Sequence, residues 1–187
     1  MDLFSRLAAA IETHLRTAFP ATIWSFALVP EPMGLKEWTD LARNTPLITL
    51  AFKSFKPATN AGRRAKGQLT FVMIMVVKNE RGASHRFLGD ARGPGLFPAT
   101  DMLLRLMQGA SFPDLGTTFV TSCEQSFADQ WSEANAAMVR LEIETTVEFD
   151  PAIDPATLDE FLRIQTQWTP PSDNQVLNVI NVRDPRP

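Results

Sequence analysis

The chain has 187 residues, 44% of them hydrophobic and 21% charged, and a formal net charge of −3. That length suits one domain with room for an extension and buries about 70% of the unfolded surface. The composition is that of an ordinary soluble globular protein, and the charge argues against strong nucleic-acid affinity for the molecule as a whole.

Residues 2–18 read as an amphipathic helix. Leu3, Leu7, Ile11, Leu15 and Ala18 repeat at three-to-four spacing, and Phe4 widens the stripe. Asp2 is placed to cap the helix, and Pro20 ends it. This start lacks the basic residues and apolar block of a secretory signal, so the expectation is an intracellular protein in a reducing compartment. A short strand, Ile23–Val29, follows. Pro30–Asn44 reads as a loop-like insertion with a turn or two of helix at Leu35–Ala42.

Pro46–Phe55 and Gln68–Lys78 are clear strands, and the simplest connection makes them an antiparallel hairpin with a long tip, Lys56–Gly67. Phe71–Val77 is apolar on both strand faces, which predicts a central strand covered on both sides. It is also the longest apolar run, far short of the roughly twenty residues that span a bilayer. Asn79–Gly82 is a turn. A glycine-rich approach over 83–95 leads to a second helix, Leu96–Gln108, with Pro98 in its first turn and Gly109 as its stop. A fourth strand, about Thr117–Gln125, carries Cys123. As the sole cysteine it excludes an internal disulfide framework and reads as a packed thiol.

Ala136–Phe149 (AAMVRLEIETTVEF) shows the strongest pattern of all. Val139, Leu141, Ile143, Val147 and Phe149 alternate with Arg140, Glu142, Glu144, Thr146 and Glu148, so the strand has one apolar and one charged face. Asp154 and Pro155 then open a third helix running to about Thr166. The tail Thr169–Pro187 reads as an extension with unstructured ends, whose middle, Val176–Val182, has the pattern to add a strand to a neighbour's edge. This order predicts an α+β fold: a mostly antiparallel sheet, helices packed on one face, and a long β-hairpin.

Charge is unevenly distributed. Between Lys53 and Arg92 nine Lys or Arg residues face two acids, a formal +7. Between Glu124 and Glu160 ten acids face Arg140 alone, a formal −9. Two readings stay open: the segments pair within one molecule as sheet neighbours, or one copy's basic surface meets the next copy's acidic one.

Residues that could carry chemistry do not converge along the sequence. His14 lies near the apolar seam of the first helix and His85 in a loop with Arg86 and Asp90. Neither HExxH nor CxxC is present, so no metal, cofactor or catalytic residue is assigned. Gly93-Pro94-Gly95 matches no phosphate-binding fingerprint and reads as a turn into the helix. The tip remains: Lys56, Arg63, Arg64 and Lys66, without an acid among them, form a cationic loop suited to an acidic protein surface or to phosphate.

Taken together, LFSRLAAAIETHLRTAFP, the hairpin PLITLAFKSF … GQLTFVMIMVV, the helix RGPGLFPATDMLLRLMQG and the closing run FADQWSEANAAMVRLEIETTVEFD with LDEFLRIQTQW resemble the tail terminator (tail completion) proteins of long-tailed bacteriophages, Mu-like prophage type. The resemblance covers residues 1–168 as a single domain, with 169–187 beyond it, and lies in element order and texture. It implies a non-enzymatic virion assembly protein, made in the host cytoplasm and ending in the virion tail. Such a subunit forms a homo-oligomeric, six-membered ring that caps the tail tube and stops its polymerisation. The ring also offers a joining surface to the head-completion (connector) protein, while DNA passes through its centre. On that basis Lys56, Arg63, Arg64 and Lys66 are expected to face the lumen or tube, and Glu142, Glu144 and Glu148 a subunit boundary. The alternatives are another neck or baseplate protein of the same particle, or a small cytosolic enzyme or ligand-binding domain using Cys123 or His85.

Overall fold

The computed structural model describes residues 2–31, 42–58, 65–91, 93–126 and 135–149. By its contacts the chain divides after Pro151, and every described residue belongs to the first unit, Met1–Pro151. The expected helix from Asp154, the Thr169–Pro187 tail and nearly all of Leu35–Ala42 lie outside the described residues.

Helix α1 spans Leu3–Leu15. Its stripe works as the spacing implies, with Leu7, Ile11 and Leu15 at most 1% exposed. Asp2 caps it: one carboxylate oxygen accepts the Ser5 N–H at 2.9 Å and the other the Ser5 hydroxyl at 2.7 Å. These bonds hold the Asp2 carboxyl below its ordinary value. The helix closes earlier than the periodicity suggests, because the Thr17 hydroxyl takes the His14 carbonyl at 2.7 Å and only turns continue to Ala18.

Six strands make one mixed sheet: β1 (Ser25–Leu28), β2 (Leu47–Pro57), β3 (Ala65–Lys78), β4 (Ser111–Phe112), β5 (Gly116–Ser126) and β6 (Ala136–Phe149). Their order is β1-β2-β3-β6-β5-β4. Only β1 and β2 are parallel; every other pairing is antiparallel. The class is therefore α+β with a mostly antiparallel sheet. The two-residue β4 is an addition to the elements expected from sequence, too short to leave a periodic signal.

The hairpin of β2 and β3 is longer in its strands and shorter in its tip than the sequence suggests. Pairing runs out to Pro57 opposite Gly67, and the Ala58 N–H donates to the Lys66 carbonyl at 2.8 Å. Lys56 and Lys66 are thus ladder residues. Arg63 and Arg64 lie outside the described residues.

One sheet face packs on α1 and on helix α3 (Leu96–Met107), which follows the short helix α2 (Ala83–Leu88). Leu69, Phe71, Met73, Met75 and Val77 of β3 join Val139, Leu141, Ile143 and Val147 of β6 in that core. The central position of β3 is as its apolar run predicts: on its other face Thr70, Val72 and Val76 are also at most 3% exposed. Along β6 the charged side chains fall on that second face, except near its start, where Met138 meets Val76 in a small apolar cluster.

Candidate functional site

Two surfaces stand out, one charged and one apolar. The charged one is the β6 face turned away from the helices. Glu142 lies opposite Val72 in the β3 register, and Lys53 continues the Leu47, Thr49, Ala51 side of β2 on the same sheet face, at a bulge between Phe52 and Ser54. The Lys53 ammonium reaches across β3 and donates to Glu142 at 2.6 Å. Arg140, two residues along the same strand face, also pairs with Glu142 and reaches Glu31 at 3.5 Å. The Lys53 bond, aided by Arg140, holds the Glu142 carboxyl below its ordinary value against the opposing effect of burial. Glu144 accepts a hydrogen bond from Gln68, and Glu148 stands opposite Lys66 in the register.

The basic and acidic segments are therefore sheet neighbours, and Glu142 takes both its cations from its own chain. A carboxyl lowered in the native state stabilises above its unfolded value, about 4.3, and that contribution is lost as pH falls through the lower native value. Glu142→Gln is expected to cost about 1 kcal/mol at neutral pH, because the pairs are partly solvated. The difference from wild type should vanish in strong acid. Urea unfolding of both proteins at the two pH values checks this; an equal cost at both would refute it.

The nucleophile and base candidates are separately engaged. His14 donates from Nε2 to the Leu106 carbonyl at 3.0 Å, with its ring edge-on to Phe112 at 5.7 Å. His85 belongs to α2 and not to a loop: the Arg86 N–H closes on the Gly82 carbonyl, and His85 Nδ1 lies 3.5 Å from Asp90. Cys123 is exposed, correcting the expectation of a packed thiol. Its register partner Leu141 is in the core, but β5 lies towards the sheet edge and is paired by β4 only at Gly116 and Thr117. Partial burial of the sulfur and the adjacent Glu124 push the thiol up, away from a reactive thiolate. Among the described residues, no three His, Cys, Asp or Glu side chains could hold one metal ion. No helix among them is long and apolar enough to cross a membrane.

The apolar surface escaped sequence reading. A shallow cleft of about 540 Å³ opens where the end of α1 meets α2 and α3, walled by Phe19, Trp24, Leu88, Pro98 and Met102, with Asp90 at its margin. The Gly93-Pro94-Gly95 turn forms its floor and leads into α3, as expected; Asp90 and Gly93 exchange backbone hydrogen bonds at 3.0 and 3.3 Å. At the other end of α1, Phe4 and Phe52 form an edge-to-face pair at 5.3 Å, 39% and 48% exposed. Phe4 looked like part of the buried stripe; its exposure is the one signal a helical wheel could not supply. No protein-family model matches this chain, and no curated protein matches it.

Proposed function

We propose that this chain is a structural subunit of a phage or prophage tail, a terminator that closes into a ring on the tail tube, stops tube growth and presents the head-joining surface. The observation that carries the reading is the set of aromatic side chains left in solvent: Phe4, Phe52, Phe97 and Phe119 are each between 39% and 55% exposed. Large apolar groups held on rigid helices and strands are what a protein displays to other proteins. The element order supports the same reading, since an opening helix, a long hairpin, a helix and a long closing strand are the features on which the resemblance rests.

In this reading the hairpin end, with Lys56, Arg63, Arg64 and Lys66, faces the lumen or tube, where contact with passing DNA is with phosphate. The outer edge of the β6 face, through Glu144 and Glu148, lies at the subunit boundary. Glu142 contributes less there, because Lys53 and Arg140 already neutralise it.

Native mass measured across a concentration and salt series, with negative-stain imaging, tests the proposal. The expected species is a ring with a central hole near six times the 20.8 kDa subunit. Glu144→Lys is expected to weaken its assembly about tenfold, a change of about 1.4 kcal/mol. A chain that stays monomeric and also leaves purified tail tubes growing at their normal rate would sink the reading.

A further inference from the structure

The sheet face turned away from the helices is buried along the half that lies level with β1. Leu47, Thr49 and Ala51 of β2 and Val72 and Val76 of β3 are at most 3% exposed, and Met138 of β6 closes on Val76. None of the three described α-helices accounts for this, since α1 and α3 pack into the opposite face and Phe87 of α2 packs against that same core. Towards the hairpin tip the face opens: Lys53, Gln68, Thr146 and Glu148 are exposed. A strand face loses water only where something lies on it.

The connection from β1 to β2 is placed to supply the cover. These two strands are parallel, so residues 29–46 carry the chain from the end of one back to the start of the other, a crossover that runs over one face of the sheet. Glu31 decides which face. Its carboxylate lies 3.5 Å from the Arg140 guanidinium, although β2 and β3 stand between β1 and β6, a separation of roughly 14 Å at about 4.8 Å per strand. The chain leaving β1 therefore turns inward over the face from which Arg140 and Glu142 project. Its return is fixed where the Ser25 N–H donates to the Pro46 carbonyl at 2.9 Å and Leu47 takes its place beside β1.

Between these anchors are residues 32–41, outside the described residues, with Leu35, Trp38 and Leu41 at three-residue spacing, the spacing of one side of a helical turn. We infer that this segment packs on the second face of the sheet, its Leu35, Trp38 and Leu41 side against Leu47, Val76 and Met138, and makes a second small core there. The accessible part of the face is then the half near the hairpin tip, where Phe119 stands beside Glu144 in the register. A partner that docks on this face meets those residues and not the apolar half. The inference concerns one copy and holds whether or not copies form a ring.

A photo-cross-linker tests the contact in the full chain. With Trp38→p-benzoylphenylalanine, irradiation of dilute protein is expected to join residue 38 to Leu47, Val76, Met138 or a neighbour on that face, in a product of monomer mass. Capture of any other part of the chain, capture only between two copies, or no capture would each overturn the inference. In parallel, Trp38→Ser with Leu41→Ser should raise the unfolding equilibrium constant at least about thirtyfold, the loss of two buried apolar side chains. The native state of that variant should also bind an apolar dye, and Trp38→Phe alone should keep most of the wild-type stability. A doubly substituted chain as stable as wild type, with no dye bound, would equally overturn the inference.

Discussion

Leu141→Ala is expected to lower stability by about 2–5 kcal/mol, the range for a leucine truncated in a packed core. Leu141 is fully buried, in the middle of β6, between Met73 of β3 and Cys123 of β5 in the register. Its β3 neighbour Met73 belongs to a strand paired on both sides, by β2 and β6, and cannot collapse into the space. For a chain of this size that cost is a drop in Tm of roughly 5–20 °C. The adjacent Glu142, turned to the opposite face, carries the far smaller cost given above. Thermal unfolding of the two variants side by side measures the contrast directly. A Leu141→Ala protein no less stable than Glu142→Gln would mean that β6 does not separate a core face from a solvent face.

The second large effect is expected from Gly95→Ala. Gly95 is the N-cap of α3, and a Cβ there would collide with backbone atoms of Leu88 and Gly89 and lie 2.6 Å from the Phe87 carbonyl oxygen. None of these can rotate away as a side chain could. Gly89, which it touches, has φ of +81°, a conformation glycine adopts freely. The end of α2 and the start of α3 are thus packed backbone to backbone, and relieving the clash must push the helices apart. Overpacking of this kind costs about 1–3 kcal/mol and more where backbone is involved. Because both helices wall the cleft, the variant should also lose Trp24 burial, which tryptophan fluorescence reports. Gly93→Ala is the control, since a Cβ there meets nothing within 4 Å. Equal stability of the two variants would show that the close approach is not a constraint.

The arrangement explains how a chain of modest net charge can carry strongly unequal segments. The basic hairpin and the acidic strand are side by side in one sheet, so their fields largely cancel at short range. Lys53 and Arg140 on Glu142 are the visible instance. In the proposed ring, ionic strength should therefore act through the residues at the far end of β6 more than through Glu142 itself.

Periodicity alone determines much of this fold. The three-to-four spacing of Leu7, Ile11 and Leu15 places α1 and its buried side, and strict alternation over Val139–Val147 assigns each β6 residue to a face. The doubly apolar Phe71–Val77 marks β3 as central, because only a strand flanked and covered can bury both its sides. These are local properties of the backbone: side-chain direction follows from helix or strand geometry, and apolar residues gather on the side that leaves water. Other features depended on residues distant in sequence. Cys123 is exposed because β5 lies beside the sheet edge, and Lys53 meets Glu142 because the strand order sets β2 and β6 on either side of β3 with both side chains on one face. Phe4 stays 39% exposed with the Phe52 ring edge-on against it, and Gly95 lets two helix ends touch beside the cleft. Alternation tells which way a side chain points, whereas what lies opposite it is decided by strand order, register and helix docking, which only the tertiary structure supplies.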